Sequence, residues 1–118
     1  MAALWSRRAK GEWYERKAAA LLKRRGYQII ERNFIARGGE IDIVALTGNC
    51  LVFVEVRQRG EGAKESAGES ITAQKIRCIK RAAAQFITQR PAAKKLNIRF
   101  DVVLFDGGKP LHIEGAFT

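Results

Sequence analysis

Hydrophobic and polar positions alternate most regularly from Gly39 to Arg59, in the stretch GEIDIVALTGNCLVFVEVRQR. Gly48-Asn49 in its middle is a two-residue turn signal between runs rich in Ile, Val and Phe, so the stretch predicts a β-hairpin. Before it, Lys10 to Arg25 carries a helical pattern with Tyr14, Ala18, Leu21 and Leu22 on one apolar stripe. Gly26 is placed to cap that helix, and Tyr27 to Phe34 reads as a strand. Gly60 to Gly68 is Gly-rich and charged and reads as a mobile loop. A second helix is expected from Ser70, an N-cap residue type, to Gln89 before Pro91. Arg99 to Phe105 predicts a strand, Asp106-Gly107-Gly108 a turn, and Leu111 to Glu114 a short last strand. Three consecutive strands favour an antiparallel meander, and the second helix can cross the sheet to bring a parallel strand alongside. The expected fold is an α/β sandwich around a mixed sheet.

The hairpin also sets its own register. If Gly48-Asn49 forms the turn, Thr47 pairs with Cys50, and counting outward sets Asp42 across from Glu55 and Glu40 across from Arg57. Alternation puts Ile41, Ile43, Ala45, Val52, Val54 and Val56 on the other, uniformly apolar face. Like charges directly opposite one another on a sheet are destabilising. A divalent cation between Asp42 and Glu55 is the simplest reason for the pair, and Mg²⁺, or Mn²⁺ in its place, suits carboxylate oxygens on a rigid strand pair. Such an ion can polarise a phosphodiester and generate hydroxide from bound water, with a nearby cation balancing charge on phosphorus. The plainer alternative is an exposed ionic face made by Glu40, Asp42, Glu55 and Arg57.

Three further residues bear on that chemistry. Glu15 lies at the edge of the first helix's apolar stripe, where it either joins the acidic cluster or stays a solvated helix residue. Lys75 falls within the apolar stripe of the second helix with Ile71, Ile79, Ala82, Ala83 and Phe86, and either snorkels out or reaches the carboxylates. Arg57 shares a strand face with Glu55 and can stabilise charge, but its guanidinium does not lose a proton and so is no base. Arg7, Arg8, Arg37, Arg59 and the Lys23-Arg24-Arg25 run are candidate phosphate contacts, and Trp5 and Trp13 are available for stacking on bases. His112 reads as a structural strand residue.

Composition narrows the partner. The 118 residues fit one domain, and a hydrophobic content of 47% argues against disorder. With 22 Lys and Arg the net charge is +10, which points to an anionic partner, nucleic acid before a membrane surface. Cys50 and Cys78 stand alone, and with a single His in the chain there is no conventional His- or Cys-based metal site. Neither a signal peptide nor a membrane span is discernible, so a cytoplasmic protein that does not engage membranes is expected.

Several short motifs recur together: Gly11, Glu15 and Ala18; Gly26-Tyr27 and Asn33; Gly39-Glu40-Ile41-Asp42; Val52-Phe53-Val54-Glu55-Val56 with Arg59. Lys75, Arg99-Phe100-Asp101-Val102-Val103 and the closing Ala116-Phe117 complete the set. In these the chain resembles the bacterial YraN family, grouped with restriction-endonuclease-like nucleases of the PD-(D/E)xK superfamily and similar in layout to archaeal Holliday junction resolvases. The resemblance implies a mixed sheet of about five strands flanked by helices. It also implies Asp42 and Glu55 as metal-binding carboxylates, with Glu15 and Glu40 completing the shell. Arg57 stands where the motif has lysine, and Lys75 is the substitute on a helix. The implied activity is metal-dependent DNA cleavage, and a resolvase-like reaction would require a homodimer. The alternatives are a non-catalytic nucleic-acid-binding module on the same fold and a basic adaptor for a protein partner.

Overall fold

The structure is a computed structural model that describes residues 7–60 and 71–118. Helix α1 spans Arg7–Arg24 and ends as its sequence predicts. Gly26 takes a φ of 90°, its N–H donates to the Lys23 carbonyl, and the Tyr27 N–H reaches back to the Leu22 carbonyl, both at 3.0 Å. This is a Schellman closure, open to glycine because it has no Cβ to clash at positive φ. Ala18, Leu21 and Leu22 are buried and Tyr14 half-buried, which is the predicted stripe.

Strands β1 (Gln28–Ala36), β2 (Gly39–Thr47) and β3 (Cys50–Arg59) form the antiparallel meander. Helix α2 (Ala73–Gln89) and a short 3₁₀ turn (Pro91–Lys95) lead to β4 (Asn97–Asp106), which lies parallel to β3; β5 (Lys109–Phe117) closes the sheet antiparallel to β4. The spatial order is β1-β2-β3-β4-β5, a five-stranded mixed sheet with one helix on each face.

Under α1 lie Ile43, Ala45, Val52, Val54, Val103 and Phe105. Under α2, Phe34, Val44, Leu51 and Phe53 pack against Ile79, Ala82, Ala83 and Phe86. Phe86 meets Phe34 and Phe53 edge-on at 5.2 and 5.8 Å, and burying each such ring contributes about 1.5–3 kcal/mol. Helix α2 sits so close to the sheet that a Cβ on Gly39 would lie 2.3 Å from the Cys78 carbonyl oxygen. Only glycine fits there.

Three expectations change. Helix α2 starts at Ala73, capped by Thr72, whose hydroxyl accepts the Lys75 N–H at 3.1 Å; Ser70 lies outside the described residues. So do Trp5, the side chain of Arg7 and nearly all of the Gly60–Gly68 loop. The last strand is longer than Leu111–Glu114, because a bulge near Phe100 and a left-handed Gly115 let β5 continue to Phe117. Finally, Ile41 packs under α2 with Phe34, while Ile43 lies under α1. Asn33, at a φ of 54°, interrupts the extended backbone of β1 between Arg32 and Phe34, the residues paired with Ile43 and Ile41. Strict alternation requires extended backbone throughout, and a left-handed residue breaks it.

Candidate metal centre and its cleft

The β2–β3 ladder runs in the predicted register from Thr47–Cys50 to Ile43–Val54. At the next position a side chain takes over from the backbone. Asp42 accepts the Val56 N–H on Oδ2 at 2.8 Å, which fixes the carboxylate where the two strands part. Beyond Ile43–Val54 neither expected pairing, Asp42 with Glu55 nor Glu40 with Arg57, continues the ladder; on its other edge β2 keeps Glu40 paired with Ile35 of β1.

Glu55 is 5% exposed, and its side chain hydrogen-bonds with that of Asp42. Two cations face its Oε2: Arg57 Nη1 at 3.6 Å and Lys75 Nζ at 3.7 Å. Lys75 thus leaves the core stripe and reaches the carboxylates from the first turn of α2. Burial, then the charge of Asp42 and the bond to it, push Glu55 up to about 8; Lys75 and Arg57 offset this only in part. Two bare carboxylates this close repel, so the contact favours a proton between them over full ionisation.

Glu15 approaches from α1. Burial and the Asp42 charge raise it to about 7, with Glu40 adding to the rise, while Arg32 and a hydrogen bond from Asn33 oppose it. Its Oε1 is buried with no hydrogen-bond partner. Asn33 therefore has two effects: its backbone interrupts the extended strand, and its amide holds one side of Glu15. A cleft of about 330 Å³ opens beside them, lined by Arg8, Gly11, Glu12, Glu15, Asn33, Ile35 and Glu40.

Asp42, Glu55, Arg57 and Lys75 thus converge, with Glu15 close enough to feel Asp42, and Glu40 sits on the cleft side of Glu15. Among the described residues no three Asp, Glu, His or Cys side chains are already gathered as a metal cage. The expected phosphate contacts are dispersed. Arg8 is exposed at the cleft with Glu12 at 3.7 Å, and Arg37 is exposed at the β1–β2 turn, where its backbone N–H meets Gln85. Arg59 is paired with Asp106 at 3.1 Å.

Sequence reasoning passed over one buried cluster. Asp101 has no exposed surface and receives both prongs of Arg99 at 2.8 Å, His112 Nε2 at 2.8 Å and the Gly115 N–H at 3.0 Å. Tyr27 accepts from Arg99 and donates to Glu114. Burial pushes Asp101 up, yet Arg99, Gly115 and His112 hold it below the ordinary carboxylate range. The available signal was Arg99-x-Asp101, two charges on one face of an otherwise apolar strand.

A five-stranded mixed sheet between two helices, with paired carboxylates on its central hairpin, is consistent with a restriction-endonuclease-like layout. The model of the family described as "Uncharacterised protein family UPF0102", the YraN family, matches residues 14–105, and the chain belongs to that family. It is 42% identical over 109 residues to the UPF0102 protein of Sulfurihydrogenibium sp. (strain YO3AOP1), covering 92% of this chain and 94% of the relative. Identity to the UPF0102 protein of Dechloromonas aromatica (strain RCB) is 46% over 110 residues, covering 93% and 89%. No helix among the described residues is long and apolar enough to cross a membrane.

Proposed function

We propose that the protein is a metal-dependent DNA endonuclease, resolvase-like in substrate, that hydrolyses phosphodiester bonds at the Asp42–Glu55 pair. The observation that carries this reading is a buried carboxylate, Glu55, held against a second one and raised to about 8, with an orphaned Glu15 oxygen nearby. Two acidic groups held this close disfavour ionising together, and a divalent cation would take the place of the proton that otherwise relieves them. The donor set fits Mg²⁺ or Mn²⁺. Magnesium is commonly held by one or two carboxylates and completes its shell with water and substrate phosphate, so a three-residue cage is not required.

When bound, the ion would activate water and neutralise charge at the scissile phosphate. The chain supplies the rest. Asp42 is oriented by the Val56 N–H and Glu55 by Lys75 and Arg57. Lys75 and Arg57 are placed to meet phosphate oxygens, and Glu15, raised to about 7, is suited to accept a proton near neutral pH. Arg57 in the lysine position favours the second reading, a nucleic-acid-binding module without turnover. The Lys75 ammonium at 3.7 Å from Glu55 favours the nuclease, since it restores a lysine to that carboxylate.

Labelled single-stranded, duplex, flap and four-way-junction DNA, incubated with the protein and Mn²⁺ or EDTA, tests this. The expected result is Mn²⁺-dependent cutting, lost in both Asp42→Asn and Glu55→Gln. Binding without cutting, unchanged in both variants, would leave the non-catalytic module.

A further inference from the structure

Helix α1 has a second face that the carboxylate site does not use. Lys10, Lys17 and Arg24 recur every seven residues, nearly two full helical turns, and so lie on one line about 21 Å long. Trp13 and Ala20 fall on the same line between them. All three cations are exposed, and Arg16 and Lys23 flank the line, also exposed. The line borders the buried stripe on the Leu21 side, while Glu12 lies round the far side of the helix beside Arg8.

The ridge is shaped as well as charged. Lys17 holds its ammonium 4.4 Å from the centre of the Trp13 ring, a cation–π contact that fixes the charge on the surface. Beside it, a cleft of about 270 Å³ lies between α1 and the β4–β5 turn, walled by Lys17, Ala20, Arg24, Gly108 and Pro110 together with the apolar Leu21 and Phe105. Among the described residues its lining carries cations and no carboxylate. Small residues at Ala20 and Gly108 leave the floor open to a backbone.

We infer that this ridge is a docking surface for the phosphodiester backbone of duplex nucleic acid, separate from the carboxylate pair. The inference shares with the proposed function only the nature of the partner. A duplex carries about one charge per 1.7 Å of axis, so a 21 Å line faces on the order of a dozen phosphates. An acidic membrane fits less well. An interfacial helix must bury its apolar face in lipid, and the apolar face of α1 is already packed on the sheet.

The test is binding of a labelled duplex in EDTA across a salt series, for wild type, Asp42→Asn and the triple variant Lys10→Gln, Lys17→Gln, Arg24→Gln. The three positions are exposed, and a thermal melt of the variant checks that it folds. The triple variant is expected to bind on the order of 100-fold more weakly near 0.1 M salt, with the slope of log K against log[salt] reduced by about 2.7. Asp42→Asn is expected to keep the wild-type slope. An unchanged slope in a folded triple variant, or no duplex binding by wild type, overturns the ridge. So does binding to phosphatidylserine vesicles that the triple variant abolishes while DNA binding stays intact. The two proposals fail separately: cleavage with an unchanged slope removes the ridge alone, and a reduced slope without any cleavage removes the nuclease alone.

Discussion

Glu55 carries the largest internal conflict of any single residue in the site. Burial and Asp42 raise it to about 8, and Glu15 to about 7, from an ordinary 4.5. Between those values the folded protein keeps protons that the unfolded chain has released, so stability falls as pH rises through the window. The metal-free melting temperature is therefore expected to decline from about pH 5 to pH 8. Glu55→Gln keeps the shape and a donor toward Asp42 but removes the ionisation. It should leave the melting temperature at pH 5 unchanged and raise it at pH 8 by on the order of 5 °C, read from thermal melts. A flat wild-type profile would contradict this. At this scale counting from Gly48-Asn49 brought the two carboxylates to one place, although the ladder runs only from Thr47–Cys50 to Ile43–Val54 and stops one position short of them. The sequence did not disclose that Asn33 is left-handed, because asparagine visits that conformation without advertising it. The change of face between Ile43 and Ile41 lies opposite that residue.

Among the elements, β5 depends most on a few polar atoms. It is an edge strand paired only with β4, and half-exposed or exposed along its whole length. Asp101 ties it down by taking His112 and the Gly115 N–H from β5 while Arg99 holds both oxygens. Removing that carboxylate strands a guanidinium and an imidazole at a mostly buried site, a loss of about 3–5 kcal/mol by analogy with broken buried ion pairs. Asp101→Ala should therefore lower the melting temperature by 10 °C or more, taking about 4–8 °C per kcal/mol for a small domain. Hydrogen exchange should show the loss of protection concentrated in β5 rather than in the β2–β3 hairpin. Equal loss in both would contradict the clamp. The sequence marked β4 clearly as a strand, but β5 only in part. Its polar residues and Gly115 interrupt the alternation, and the bonds that extend it run to Asp101, which lies 14 residues away from Gly115.

For the whole molecule, the topology was legible because its punctuation is strong. Gly26, Gly48-Asn49, Pro91 and Gly107-Gly108 fall at the element ends, and the apolar periods between them switch between helix and strand. The assembly of the site was not legible in the same way. Its groups arrive from α1, β1, β2, β3 and α2, and only the pair on the hairpin is brought together by local counting. Lys75 could be placed on a stripe, but its reach to Glu55 depends on how α2 packs, and that is set in part by the bare Cα of Gly39 under Cys78. The two proposals would give α1 two working surfaces: an inner edge with Glu15, whose charge feels Asp42, and an outer cationic ridge.

The central claim is that the Asp42–Glu55 pair, costly when bare, is kept to hold a divalent cation. Titration calorimetry of Mn²⁺ into the metal-free protein at pH 7, in two buffers of different ionisation enthalpy, tests it most directly. The account predicts saturable binding with heats that differ between the buffers, equivalent to about one proton released per ion as the shared carboxyl proton leaves, and no such binding in Asp42→Asn. Absence of binding by the wild-type protein, or a buffer-independent heat that survives Asp42→Asn, would contradict it.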